Sequence, residues 1–154
     1  MPVPKINIAI AGGPCTGKSV LAASLFASQK VQGFDYDLIP EQGRMLKNEF
    51  GQYRSPFERL YMWRQQMREE NRSNARDGFI TDTPLFSFYT AARMHVSEPR
   101  DMLAVRELYR WWTEVSKDRY RLIVIAKNPD EIPYKTDGTR KGDITNAREK
   151  HRLI

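Results

Sequence analysis

IAIAGGPCTGKSV, residues 8–20, opens as an apolar run, breaks into glycines and ends on a lysine and a serine. Gly12, Gly17, Lys18 and Ser19 satisfy G-x-x-x-x-G-K-[ST], a spacing whose glycines let successive backbone N–H groups turn inward around a phosphate. Gly12, Gly13, Pro14, Cys15, Thr16, Gly17, Lys18 and Ser19 are thus expected to cradle a nucleotide. Lys18 would reach the outer phosphates, and the Ser19 hydroxyl would ligate Mg2+. A helix beginning beside Gly17 would add its positive dipole end at the same point. Cys15 is read first as a small residue that fits the loop, and second as a thiol made reactive by the helix start.

The motif demands a strand before it and a helix after it. Ile6–Ala11 is a short β-branched run bounded by Pro4 and Gly12, and Lys18–Lys30 carries Val20, Leu21, Leu25 and Phe26 at helical spacing. Tyr36–Pro40 reads as a second strand, Phe79–Asp82 as a third and Leu122–Ala126 as a fourth. Between them, Ser55, Pro56 and Glu58 announce a helix that runs to about Asp77 and stops at Gly78. Another opens at Pro84 and continues through Met94, and Ser97 caps a third with a stripe of Met102, Val105, Tyr109, Trp112 and Val115. A final helix is expected over Thr145–Ile154. Alternating strands and helices predict βαβ units and a three-layer α/β domain with a parallel sheet covered on both faces.

At 154 residues the chain is read as one domain, 1–154, either minimal or continued by a C-terminal piece. No apolar stretch approaches the ~20 residues of a membrane span, so a cytoplasmic setting is expected. With Cys15 alone there is no intrachain disulfide and no cysteine zinc cluster. The net charge of +6 favours polyanions, whether a nucleotide or a nucleic acid. Arginines at 59, 64, 68, 72 and 76 with Tyr109-Arg110-Trp111-Trp112 make nucleic acid the lesser option, because the arginines alternate with Glu58, Glu69 and Glu70 as on a solvated helix face. His95 and His151 are isolated and receive neither a metal nor a catalytic part.

Ligands of open α/β sheets bind beyond the carboxyl ends of the strands. That edge selects Glu41 and Arg44 in IPEQGR, and Asp82 and Thr83 in FITDTP. Asp82 has the form of an acid that holds the Mg2+ hydration shell. Glu41 would accept or orient the proton of an attacking hydroxyl, with Arg44 and Thr83 on the acceptor. After the fourth strand, residues 132–143 form a basic, glycine-containing loop whose Lys135, Arg140 and Lys141 suit a lid over the triphosphate.

GGPCTGKS, IPEQGR, GFITDTP and NPDEIPYKTDGTR, in that order, resemble the P-loop kinase-like group that includes the nicotinamide-riboside kinase domain of NadR and AAA_28-type ATPases. The resemblance spans about residues 5 to 150 and implies a nucleoside- or nucleotide-kinase-like fold, sheet order 2-3-1-4, ATP and Mg2+. It also implies transfer to a small hydroxyl-bearing acceptor, with Asp137 and Arg140 matching the lid motif. Pro84 stands where the riboside kinases have a second acid, and no fifth strand follows the final helix. Two functions therefore stand: a small-molecule kinase, and a nucleotide-binding ATPase module acting as a switch or in nucleic-acid processing.

Overall fold

The computed structural model describes residues 4–51, 55–127 and 144–153. At its centre lie β1 (Ile8–Ala11), β2 (Tyr36–Ile39), β3 (Gly78–Thr81) and β4 (Leu122–Ile125), in the order β2-β3-β1-β4. All neighbours are parallel; Ile8 stands opposite Ile80 on one side and Leu122 on the other. Parallel pairing forces the chain back across the sheet, and helices make each return. These are α1 (Lys18–Val31), then α2 (Gln42–Phe50) and α3 (Phe57–Arg72), then α4 (Phe86–Arg93) and α5 (Asp101–Trp111), with α6 (Ile144–Arg152) after β4. The result is the expected three-layer α/β fold with sheet order 2-3-1-4.

Alternation along the strands divides the core in two. Ile8, Ile10 and Ile80 face α1 and its buried Ala22, while Ala9 and Phe79 face Met62, Trp63, Phe88, Val105 and Leu108 of α3, α4 and α5. Each large side chain fully removed from water here contributes about 1.5–3 kcal/mol of gross stabilisation. Among the described residues, Leu122, Ile123 and Ile125 of β4 are exposed. No helix among the described residues is long and apolar enough to cross a membrane.

Four local expectations are corrected. Val20 is 72% exposed and Leu21 is also exposed; α1 buries Ala22 and leans on Leu25 and Phe26. α3 ends at Arg72, because Asp35 and Asp37 capture the chain beyond it: Asp37 accepts the Ser73 hydroxyl at 2.7 Å and Asp35 the Arg76 N–H at 2.9 Å. Gly78 begins β3 instead of stopping a helix; at φ +128° its missing Cβ would lie 2.6 Å from the Ile6 carbonyl oxygen. On α5 the cap is reversed, since the Asp101 carboxylate accepts the Ser97 N–H at 2.9 Å and the Ser97 hydroxyl at 3.0 Å. The buried positions there are Ala104, Val105 and Leu108, while Met102, Tyr109 and Val115 are exposed. The register moves because Trp111 packs on Trp63 at 4.9 Å between ring centroids and the helix then widens into a π-turn over Trp112–Ser116.

Candidate functional site

β1 delivers the chain to the glycine loop already buried. At Gly12, φ is +149°, and a Cβ would lie 3.0 Å from both Ala126 Cβ and Thr16 Oγ1, so a side chain has no room. Further on, Cys15 at φ 59° and Gly17 at φ 79° occupy the left-handed region; Cys15 is the one non-glycine residue to do so among the described residues. Alternating right- and left-handed residues turn successive N–H groups to one side and make an anion-binding concavity. α1 starts at once, with Gly17 as its N-cap and no side-chain capping bond. A helix N-terminus so placed directs its first N–H groups and positive dipole end toward an oxygen ligand of the loop.

Three side chains hold the loop. Thr16 Oγ1 and Lys18 Nζ both donate to the Gly13 carbonyl, at 2.9 and 2.7 Å. Ser19 Oγ donates to Asp82 Oδ2 at 2.5 Å, joining the start of α1 to the end of β3 across 63 residues. Asp82 is only 6% exposed, and Thr83 beside it is buried and directs its hydroxyl to Asp82 Oδ1 at 3.5 Å. A hydroxyl and a carboxylate on one spot form a donor set suited to Mg2+, which takes few protein ligands and completes its shell with water and phosphate oxygens.

Glu41 and Arg44 lie at the same sheet edge, two strands from the loop. Glu41 is the half-buried N-cap of α2, without a side-chain capping bond, and Arg44 is exposed in the first turn. α2 was not expected between these residues and the Ser55 helix. It rests on α3 closely enough that a Cβ on Gly43 would fall 2.5 Å from Met62 Cε. Thus Lys18, Ser19, Asp82 and Thr83 are gathered with the loop, while Glu41 and Arg44 stand along the same edge. Arg140 and the basic loop 132–143, with Lys135, Asp137 and Lys141, lie outside the described residues.

Two residues that sequence reasoning left out also belong here. Gln66, 0% exposed, uses its whole amide: Oε1 accepts the Gln42 N–H at 3.2 Å, and Nε2 donates to Thr81 Oγ1 at 3.1 Å and to Glu70 Oε1 at 3.3 Å. It therefore caps α2 from another helix and ties the Glu41 turn to the residue before Asp82. The usable signal was a glutamine one turn from Trp63 and Glu70 on the face that packs. The second is His151 of α6, whose Nδ1 accepts the Gly13 N–H at 3.4 Å.

Below Gln66 the polar chain continues. Glu70 is ion-paired with Arg119 and accepts the Tyr120 hydroxyl at 2.9 Å; Tyr120 in turn accepts the Leu85 N–H at 2.9 Å. Burial pushes the Glu70 carboxyl upward, opposed chiefly by Arg119. Burial, reinforced by the Glu70 charge, pushes Tyr120 well above the ordinary phenol value and keeps it a neutral donor. With every member partnered, this network braces the start of α4, just beyond Asp82 and Thr83.

The model of a P-loop NTPase family, AAA_28, described as an AAA domain, matches residues 7–154. No curated protein matches the chain.

Proposed function

The chain belongs to the AAA_28 family of P-loop NTPases, and from that premise we propose that this nucleotide-binding domain transfers the terminal phosphoryl group of ATP, with Mg2+, to a small hydroxyl-bearing acceptor: a nucleoside, nucleotide or riboside. The observation that carries the reading is the Ser19–Asp82 hydrogen bond, which unites the loop hydroxyl and the strand-end acid that P-loop enzymes use together on the metal. Transfer to an acceptor, rather than plain hydrolysis, is favoured by a second acid. Glu41 stands at the same sheet edge, and Gln66 bonds its neighbour Gln42 to Thr81 beside Asp82, so that both acids share one frame.

In this reading the loop N–H groups and Lys18 bind and orient the phosphates, and Ser19 with Asp82 holds Mg2+. Bound there, Mg2+ neutralises charge that builds on the phosphate oxygens. Glu41 takes or orients the acceptor's hydroxyl proton, Arg44 and Thr83 position that acceptor, and Arg140 supplies positive charge over the transferred group. Such chemistry belongs in the ATP-rich cytoplasm, where we place the protein.

The test is a panel of nucleosides, nucleotides and ribosides incubated with radiolabelled ATP and Mg2+, with DNA or RNA added in parallel. Phosphate should move to one acceptor class with little response to polynucleotide. Lys18→Ala should lower that rate by about 100-fold or more, the scale of losing one preorganised charge, with unfolding behaviour unchanged. Hydrolysis stimulated by DNA or RNA, without transfer to any acceptor, would replace this reading with that of an ATPase module. Normal transfer by Lys18→Ala would refute the cradle.

A further inference from the structure

One flank of α3 carries a feature that the nucleotide site does not use. An open groove of about 460 Å³ is lined by Trp63, Arg64, Met67, Arg68, Asn71 and Arg72. Trp63 and Met67 give it an apolar floor. Arg64 and Arg68 are exposed and have no ion pair or hydrogen bond among the described residues, whereas Arg72 holds Glu69 at 3.0 Å. Trp63 is 5% exposed, and its indole N–H is buried without a hydrogen-bond partner.

We propose that this groove docks an acidic amphipathic helix of a partner protein. Arg64, Arg68 and Arg72 are four residues apart, or about 6 Å along the axis at each step. A partner helix with carboxylates at i, i+4 and i+8 repeats at the same pitch, so its acids can meet the arginines in register while its apolar side chains lie on the half-buried Met67. Met67 has the unbranched, adaptable side chain suited to such a floor. A nucleic-acid strand shares the charge but not the fit: with Trp63 buried, the groove offers no free aromatic face for a base. The proposal stands apart from the phosphotransfer reading, since it uses none of the residues assigned to that site.

The probe is a dye-labelled synthetic peptide of about 18 residues, helical, with glutamates at every fourth position and leucines on the adjoining face. Its binding to the full chain is followed by fluorescence anisotropy, with an oligothymidylate of similar charge as the competitor. The peptide should bind in a salt-sensitive manner, and Arg64→Glu/Arg68→Glu should weaken it by about tenfold or more. Arg106→Glu/Lys117→Glu makes the same change of net charge outside the groove and should change binding by less than about twofold. The indole N–H NMR signal that is missing from Trp63→Phe should move when peptide is added to the unmodified protein. Equal losses in the two charge-reversal variants, an unmoved Trp63 signal, or tighter binding of the oligothymidylate that depends on Arg64 and Arg68 would each overturn the proposal.

Discussion

Replacing Gln66 by leucine keeps the volume of the side chain and removes all of its hydrogen bonds. The Gln42 N–H at the start of α2 loses its acceptor, Thr81 Oγ1 loses a donor and so does Glu70 Oε1. Neutral bonds of this kind contribute about 1 kcal/mol each and one to a carboxylate about 1.5–3 kcal/mol. The added apolar burial offsets part of that, leaving an expected destabilisation of about 3 kcal/mol, or roughly 6–12 °C in Tm at this chain length. Urea unfolding should show a lower midpoint with an unchanged slope. Gln65→Leu, at a half-buried neighbouring position, is the control. Because the loop, Lys18 and Ser19 are untouched, ATP affinity should stay within about twofold while phosphoryl transfer falls further, by the logic of misplaced groups. A loss below about 0.5 kcal/mol would refute the view that this amide holds α2 to β3.

Gly12→Ala should reduce ATP binding measured by calorimetry and cost about 1–3 kcal/mol of stability, since the new methyl meets Ala126 and Thr16 at 3.0 Å in a backbone conformation few side chains adopt. Acid should destabilise the protein through Asp35 and Asp77. The Arg76 backbone N–H and then Lys30 hold Asp35 below its ordinary value of 3.8; the Arg76 guanidinium and then the Asp35 N–H do the same for Asp77. A folded-state value below the unfolded one means that their stabilisation is present above about pH 4 and fades as pH falls through the folded values. The urea midpoint should therefore drop from pH 5 to pH 3, and less steeply in Asp77→Asn.

The parts of the fold that were legible in sequence are those decided locally. β1 and β3 are apolar runs that break at glycine or at an acid, and the glycine loop between β1 and α1 is specified by its own residues. α2 was not legible, because it follows Pro40, contains Gly43 and is only nine residues long; Met62 and Gln66, which lie on α3, hold it in place. The end of α3 was misjudged for the same kind of reason, since Asp35 and Asp37 reach it from the far side of the chain. In the site, Ser19 and Asp82 could be paired from the motif and the sheet-edge rule. His151 could not, as its partner sits 138 residues away and no pattern marks it, while Gln66 shows only as a glutamine on the packing face of α3, with its bond to the Gln42 N–H reaching 24 residues back.

The Gly13–His151 hydrogen bond closes the longest of these spans. On a ribosome the glycine loop leaves the tunnel early, and the imidazole that accepts its N–H follows 138 residues later. At about 5–20 residues per second, that is a wait of roughly 7–28 s. For all that time the nascent loop must do without one of its native contacts, so that nucleotide offered during synthesis meets a cradle still missing its last brace.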